Sequence, residues 1–293
     1  MVNKVIRCTA ENNNIRIFLA NTTNMVEKAR QFHLTSPVAS AALGRTLTMT
    51  SIMGLMLKSD KHSLTVRING GGELGTILAV SDGRGNVKGY VTHPQVKSSL
   101  IAPGKLDVAK AVGVKGDLNV VKDLGLKEPY IGTSPLVSGE IGEDFANYFL
   151  RSQQKPSAVA LGVLVDKDYS IKAAGGMLVQ TLPGIPEATV NQLEERLLKF
   201  KSITSLMEDG MNERDILNYI FEDMNPKILA SHKVDFLCDC TRHRLEQALI
   251  SIGKKELEEI ILEDGEAQLV CHFCNKKYNF DKRDLNKLLR ELG

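Results

Sequence analysis

Four of the five cysteines of this 293-residue chain fall in two short segments near its C-terminus, FLCDCTRHR at 236–244 and VCHFCNKKY at 270–278. They form a C-x-C pair, Cys238 and Cys240, and a C-x-x-C pair, Cys271 and Cys274, separated by residues 241–270. Each pair offers two sulfur ligands from one turn of chain, and the helix-sized insert lets the pairs converge. The expected product is a closed tetrahedral site of four thiolates. Soft ligands and four-coordination favour one Zn²⁺ over Mg²⁺ or Ca²⁺, with an iron–sulfur cluster as the alternative. His243 and His272 stand next to the ligands; with four thiols at hand they are expected beside the site or in solvent. Cys8 stands alone and reads as a small hydrophobe packed in a strand.

Such a site has three uses to choose between. Catalysis at the metal is not expected, because four protein ligands leave no open position. Nucleic-acid binding is opposed by charge. Residues 231–293 hold 11 Lys and Arg against 12 Asp and Glu, a net of −1 before four thiolates are counted, and phosphate attracts the opposite sign. The third use is redox sensing. Thiolates are the oxidisable form of cysteine, and a close neighbour lets a sulfenic acid condense to a disulfide. Oxidation would then remove ligands and release the metal. Structural zinc contributes roughly 10–16 kcal/mol in small modules, whereas a whole domain is stable by about 5–15 kcal/mol. Metal loss is therefore expected to unfold the region that holds it.

The rest of the chain must position this site. Its composition is 43% hydrophobic and 25% charged, with a net charge of +2, which fits a globular protein and opposes a general binder of nucleic acid or anionic membrane. The first residues lack the apolar run of a signal peptide. The least polar stretch, 36–57, contains Arg45 and several Ser and Thr. It reads as a buried helix with Ser36 as cap and Pro37 in the first turn, not a membrane span. A cytoplasmic protein with reduced cysteines is expected, and the Asn21-Thr22-Thr23 sequon is then a chance match.

Residues 1–180 alternate strand and helix patterns. Leu64, Val66 and Ile68 alternate, GTILAVSD and VKGYVTH flank a turn at 83–86, and SAVALGVLVD and SIKAAGGMLVQ flank another near Asp168. Helices are expected at 24–33, 37–57 and 140–151. Antiparallel pairs interrupted by helices predict an α+β fold. TLPGIPEAT at 181–189 marks a boundary. From 181 to 230 the pattern predicts a helical linker: Val190, Leu193, Leu197 and Phe200 share one face. Asn212 caps a second helix carrying Ile216, Leu217, Ile220, Phe221 and Met224. Helices this short need a surface to lie on, so this segment is either a set of ordinary packed helices or a metastable linker that folds only while docked. Residues 231–293 then form a small cysteine domain short of core.

With these motifs the chain resembles the redox-regulated heat-shock chaperones, the thirty-three-kilodalton chaperonin family. The resemblance extends to GKLDVAKAVG (104–113), SPLVSGEIGEDFANYF (134–149) and AAGGMLVQTLPG (173–184), and so spans nearly the whole chain. It implies a non-enzymatic holdase that needs no ATP and is inactive while reduced and zinc-bound. Oxidants such as hypochlorite, or peroxide with heat, would form Cys238–Cys240 and Cys271–Cys274 disulfides and release the zinc. The linker would unfold, and the active form, which tends to dimerise, would hold unfolding client proteins. Candidate client-binding residues are Val190, Leu193, Leu197, Ile216, Leu217, Ile220 and Phe221, with the N-terminal sheet as the other candidate surface. The C-x-x-C pair is expected to oxidise first, because the C-x-C ring is tighter.

Two weaker signals have plainer explanations. Gly70, Gly72 and Gly75 fit G-x-G-x-x-G, but a strand pattern follows where a dinucleotide site needs a helix. Glu140, Glu143 and Asp144 read as acidic residues at a helix start rather than as a catalytic carboxylate pair. No Walker A pattern is present.

Overall fold

The computed structural model describes residues 2–102 and 104–292. The chain divides into two units, Met1–Leu237 and Cys238–Gly293.

The larger unit is α+β, as the sequence predicts. It opens with a hairpin of β1 (Lys4–Ala10) and β2 (Ile15–Asn21), then α1 (Thr23–His33) and α2 (Pro37–Leu55). Strands β3 (Ser63–Asn69), β4 (Ile77–Asp82) and β5 (Val87–Val91) follow, with the short pair β6 (Leu100–Ala102) and β7 (Lys105–Leu106). Next come α3 (Val108–Val112), β8 (Asp117–Asp123), β9 (Tyr130–Pro135), α4 (Gly142–Arg151), β10 (Ser157–Val165) and β11 (Ile171–Thr181). Helices α5 (Glu187–Lys199), α6 (Ile203–Glu208) and α7 (Glu213–Phe221) lead to β12 (Lys227–Lys233). Two antiparallel five-stranded sheets result, ordered β10-β11-β2-β1-β12 and β5-β4-β3-β8-β9.

Helix α2 packs against both sheets. Sixteen of its residues are buried, from Val38 to Gly54, so it is apolar all round, as an internal helix must be. Its hydroxyls are hidden by turning them back on the helix. Thr46, Thr48 and Thr50 donate to the carbonyls of Ala42, Gly44 and Thr46 at 2.9, 2.8 and 2.7 Å. Ser36 sits at the expected cap position in extended conformation, but its side chain caps nothing. Ser98 does that work, its hydroxyl accepting from the Val38 N–H at 3.1 Å. No helix among the described residues is long and apolar enough to cross a membrane.

The first sheet is apolar on both faces. On one face Ile6, Cys8, Ile15, Ile17, Leu19, Met177 and Val179 pack against α5, α6 and α7. Leu193, Ile216, Leu217, Ile220 and Phe221 are buried in that layer, Leu197 is half-buried against it, and Val190 is half-buried. Asn212 caps α7 as expected, accepting from the Arg214 and Asp215 N–H groups while Asp215 accepts from the Asn212 N–H. Two details differ from the sequence reading. The segment 203–208 is a separate one-and-a-half-turn helix. The helical pattern ends at Met224, and residues 227–233 are a strand paired antiparallel with β1. That strand is hard to read because Ile228 and Leu229 are adjacent and both exposed, so no alternation marks it.

The acidic residues before α4 organise a turn. The Asp144 carboxylate is fully buried and accepts four backbone N–H groups, from Val137 (2.8 Å), Ser138 (3.1 Å), Gly139 (3.4 Å) and Ile141 (3.0 Å). It thereby holds Ile141 at a φ of +69°, a conformation that a β-branched residue rarely adopts. Arg45 of α2 reaches the same turn, donating to the Glu140 carboxylate at 2.7 Å and to its carbonyl at 3.1 Å.

The smaller unit contains α8 (Arg242–Ser251), α9 (Lys254–Glu263), a hairpin of β13 (Ala267–Val270) and β14 (Lys277–Phe280), and α10 (Lys282–Glu291). Its core is seven buried side chains: Leu249, Leu257, Ile261, Tyr278, Phe280, Leu285 and Leu288.

Asp144→Ala is expected to strand four backbone donors and lower stability by about 3 kcal/mol or more. Asp144→Asn keeps one acceptor oxygen and should lose roughly half as much. Urea unfolding of the reduced chain followed by circular dichroism checks the order of the two variants.

Candidate metal centre

Two local structures bring the cysteines together. Cys238 and Cys240 lie on the extended segment that enters α8, and Thr241 caps that helix by accepting the Arg244 N–H at 3.2 Å. Cys271 and Cys274 lie in the turn of the β13–β14 hairpin. The Cys271 N–H donates to the Lys276 carbonyl (3.0 Å), and the Asn275 N–H donates to the Cys271 carbonyl (2.8 Å). Asn275 takes the left-handed conformation, φ +56°, that this turn needs and asparagine tolerates.

All four Sγ atoms lie within 4.8 Å of one another. Cys238 and Cys271 approach to 3.6 Å, Cys240 and Cys274 to 3.4 Å. A tetrahedral ion with metal–sulfur bonds of about 2.3 Å separates its sulfurs by about 3.8 Å. The cluster fits that spacing, and its donor set is sulfur alone. The four cysteines could therefore hold a metal ion. His243 and His272 lie outside the cluster and are exposed.

Protonation is uneven across the cluster. Burial pushes the Cys238 thiol well above its ordinary range and raises Cys274 as well. Cys240 goes the other way, to about 7: burial raises it, but hydrogen bonds from the Tyr278 hydroxyl and the neighbouring thiols outweigh that cost. The Tyr278 hydroxyl lies 3.3 Å from Cys240 Sγ and 3.0 Å from its carbonyl oxygen. The bond to Cys240 drives the phenol itself up to about 12. Of these three thiols Cys240 is thus the one most readily ionised, and a metal ion would compete with thiol protons for the cluster.

Sequence reasoning missed two residues here. Tyr278, four positions after Cys274, is the donor that selects Cys240. Arg242 stands two residues after Cys240. It donates to Asp284 (2.6 Å) and the Asn279 carbonyl (2.8 Å) and lies 4.3 Å from the Phe280 ring centroid, tying the first cysteine segment to β14 and α10. The aromatic and the arginine beside the motifs are visible in the sequence, but their partners are 38 and 42 residues away.

Two other candidate motifs resolve as expected. The loop Gly70–Gly75 leads into β4 and not into a helix. A Cβ on Gly70 or Gly72 would sit 2.2 or 2.3 Å from backbone oxygens of Gly113 and Ala111, so these glycines serve a close chain crossing. Cys8 is fully buried in a strand, and burial pushes its thiol up to about 12.

Residues 3–281 match the family model described as Hsp33 protein. The chain is 62% identical over 292 residues to a 33 kDa chaperonin of Alkaliphilus metalliredigens, covering 100% of each chain. It is 52% identical over 288 residues to a 33 kDa chaperonin of Clostridioides difficile, covering 98% of this chain and 99% of that one. The crystal structure of a 33 kDa chaperonin from Thermotoga maritima superposes with a TM-score of 0.91 at 36% identity, over 99% of each chain. The cysteine cluster and the two-sheet core thus sit in a chain that belongs to the Hsp33 chaperone family.

Proposed function

We propose that this protein is a redox-regulated, ATP-independent holdase of the cytoplasm, not an enzyme. Residues 1–180 form its core, 181–230 a metastable linker and 231–293 a zinc-binding switch. The observation that carries the reading is the convergence of four sulfur atoms, in a unit whose core cluster, among the described residues, holds seven buried side chains. Cys238, Cys240, Cys271 and Cys274 would hold one Zn²⁺ in the reduced form. The bound ion supplies the cross-link that this small unit lacks.

Oxidation reverses it. Each Cys238–Cys240 or Cys271–Cys274 disulfide removes two electrons and two protons from a pair of thiols. One hydrogen peroxide accepts them and becomes two waters. Two disulfides consume all four ligands, so the ion leaves. The C-x-x-C pair closes first, because its ring is the less strained. The unit then loses its order and α5–α7 come away from the sheet. Burial of α5–α7 supports this assignment of the client surface. Leu193, Leu197, Ile216, Leu217, Ile220 and Phe221 lie against Ile6, Cys8 and Ile17 in the closed form, and Val190 is half-buried. They are free to bind clients, or a second copy of the chain, only after the helices leave.

Four outcomes are expected. The reduced protein should bind one zinc per chain, and its affinity should fall about tenfold or more per pH unit below 7, because thiol protons compete with the ion. Cys271→Ser should weaken zinc and increase proteolysis within 181–232 without oxidant; unchanged metal affinity and unchanged cleavage would contradict the zinc assignment. Oxidised protein, without nucleotide, should suppress aggregation of a model client, and the reduced protein should not. Equal activity in both states, or zinc retained through peroxide treatment, would end the switch reading. Finally, Ile220→Asp places a charge in the linker–sheet core and should cost about 3 kcal/mol or more of docking. The reduced variant is expected to keep its zinc yet bind a fluorescent hydrophobic probe, separating the cover from the sensor.

A further inference from the structure

Five basic side chains face one cavity in the larger unit, far along the sequence from the four clustered cysteines. The cavity measures about 660 Å³, within the range of roughly 300–1,000 Å³ common for small-molecule sites. Arg7 comes from β1, Arg16 from β2, Lys58 from the turn after α2, Lys122 from β8 and Lys155 from the turn after α4. No Asp or Glu among the described residues lines it. Its apolar wall includes Phe18, Met53, Met56 and Phe149.

The charge here is not that of the chain at large, which carries 37 basic and 35 acidic residues. Arg7, Arg16, Lys58 and Lys155 make no ion pair among the described residues, and Lys122 is held by a neutral group, donating to Gln153 at 3.2 Å. The C-terminal end of α2 opens on the same cavity, and its dipole supplies only about half a negative charge. Five positive charges against that half leave most of the field uncompensated. The crowding is felt: burial, and then the charge of Lys155, lower the pKa of Lys122. Solvated basic faces normally intersperse acids; a walled concavity with one sign of charge instead concentrates anions.

We propose that this cavity binds a small ligand carrying a di- or triphosphate chain. Two or three phosphates carry enough negative charge to answer five cations, and arginine forks match phosphate oxygens in pairs. The phenylalanine and methionine wall gives a compact organic body somewhere to rest, since methionine adapts to varied shapes. No hydrolysis is implied. The proposal concerns the larger unit alone and does not rest on the redox reading.

Titration calorimetry on the reduced full-length protein tests it, using pyrophosphate, tripolyphosphate and ADP as probes. Binding at micromolar to sub-millimolar concentration is expected for at least one probe, weakening as salt rises. Lys58 and Lys155 are exposed, so Lys58→Gln with Lys155→Gln should leave the fold intact and weaken binding tenfold or more. Lys254→Gln with Lys255→Gln, in the other unit, removes the same charge and should change binding less than twofold. Tighter binding of ADP than of pyrophosphate would assign the apolar wall to a nucleotide-like body; equal binding would assign the site to inorganic phosphate chains. Absence of binding below several millimolar, or equal weakening by both double variants, overturns the proposal.

Discussion

A sheet with two apolar faces must be covered twice, and the two covers of the β10-β11-β2-β1-β12 sheet are unequal. One side meets α2, a 19-residue helix buried between two sheets. The other side meets three helices of 13, 6 and 9 residues. Helices so short are marginal in water and owe their stability to the surface beneath them. The dependence is mutual: Ile6, Cys8, Ile15 and Ile17 stay dry only while those helices are present. The proposed switch turns on this asymmetry, because a cover that is weak by itself is the one that can leave.

Apolar burial, not charge, holds that cover down. Ile216, Leu217, Ile220 and Phe221 are each at most 2% exposed, and burying such side chains is worth about 1.5–3 kcal/mol apiece. The ion pairs across the same layer are more modest. Lys4 meets Glu213 at 3.0 Å, but the lysine is over a third exposed; Arg196 meets Asp223, whose side chain is mostly exposed. Exposed pairs contribute roughly 0–1 kcal/mol and weaken with salt. Lys4–Glu213 joins β1 to the first turn of α7. Losing the layer therefore exposes a broad apolar surface at once, on the helices and on the sheet.

How much was legible depended on distance along the chain. The convergence of the four cysteines was, because C-x-C and C-x-x-C each act within one turn. So was α2, whose long run of weakly polar residues carries one charge, Arg45. The Asp144 turn was read only as an acidic helix start; the four donors it gathers depend on a backbone path that composition does not encode. Strand β12 was missed because its partner β1 lies over two hundred residues earlier and its own side chains do not alternate in burial. The basic cavity was invisible for a similar reason: Arg7, Arg16, Lys58, Lys122 and Lys155 share no motif, and a net charge of +2 conceals a local excess. Sequence pattern finds what neighbours do together and misses what only the fold assembles.

The pairing of the sulfurs decides what oxidation would do to the small unit. A metal on four sulfurs ties residues 238–240 to residues 271–274 and closes a loop through α8, α9 and β13. Closing a loop of that length restricts the unfolded chain by about 3–4 kcal/mol in the chain-entropy model. Disulfides within the pairs close only tiny loops and leave the two segments unlinked, so this long-range restraint vanishes although two covalent bonds have formed. Disulfides across the pairs would do the reverse. Cys238 faces Cys271 at 3.6 Å and Cys240 faces Cys274 at 3.4 Å, and bonds there would preserve the same loop without any ion. The proposed switch therefore needs the local pairing: the same four thiols and the same loss of electrons release the unit or lock it according to which sulfurs join.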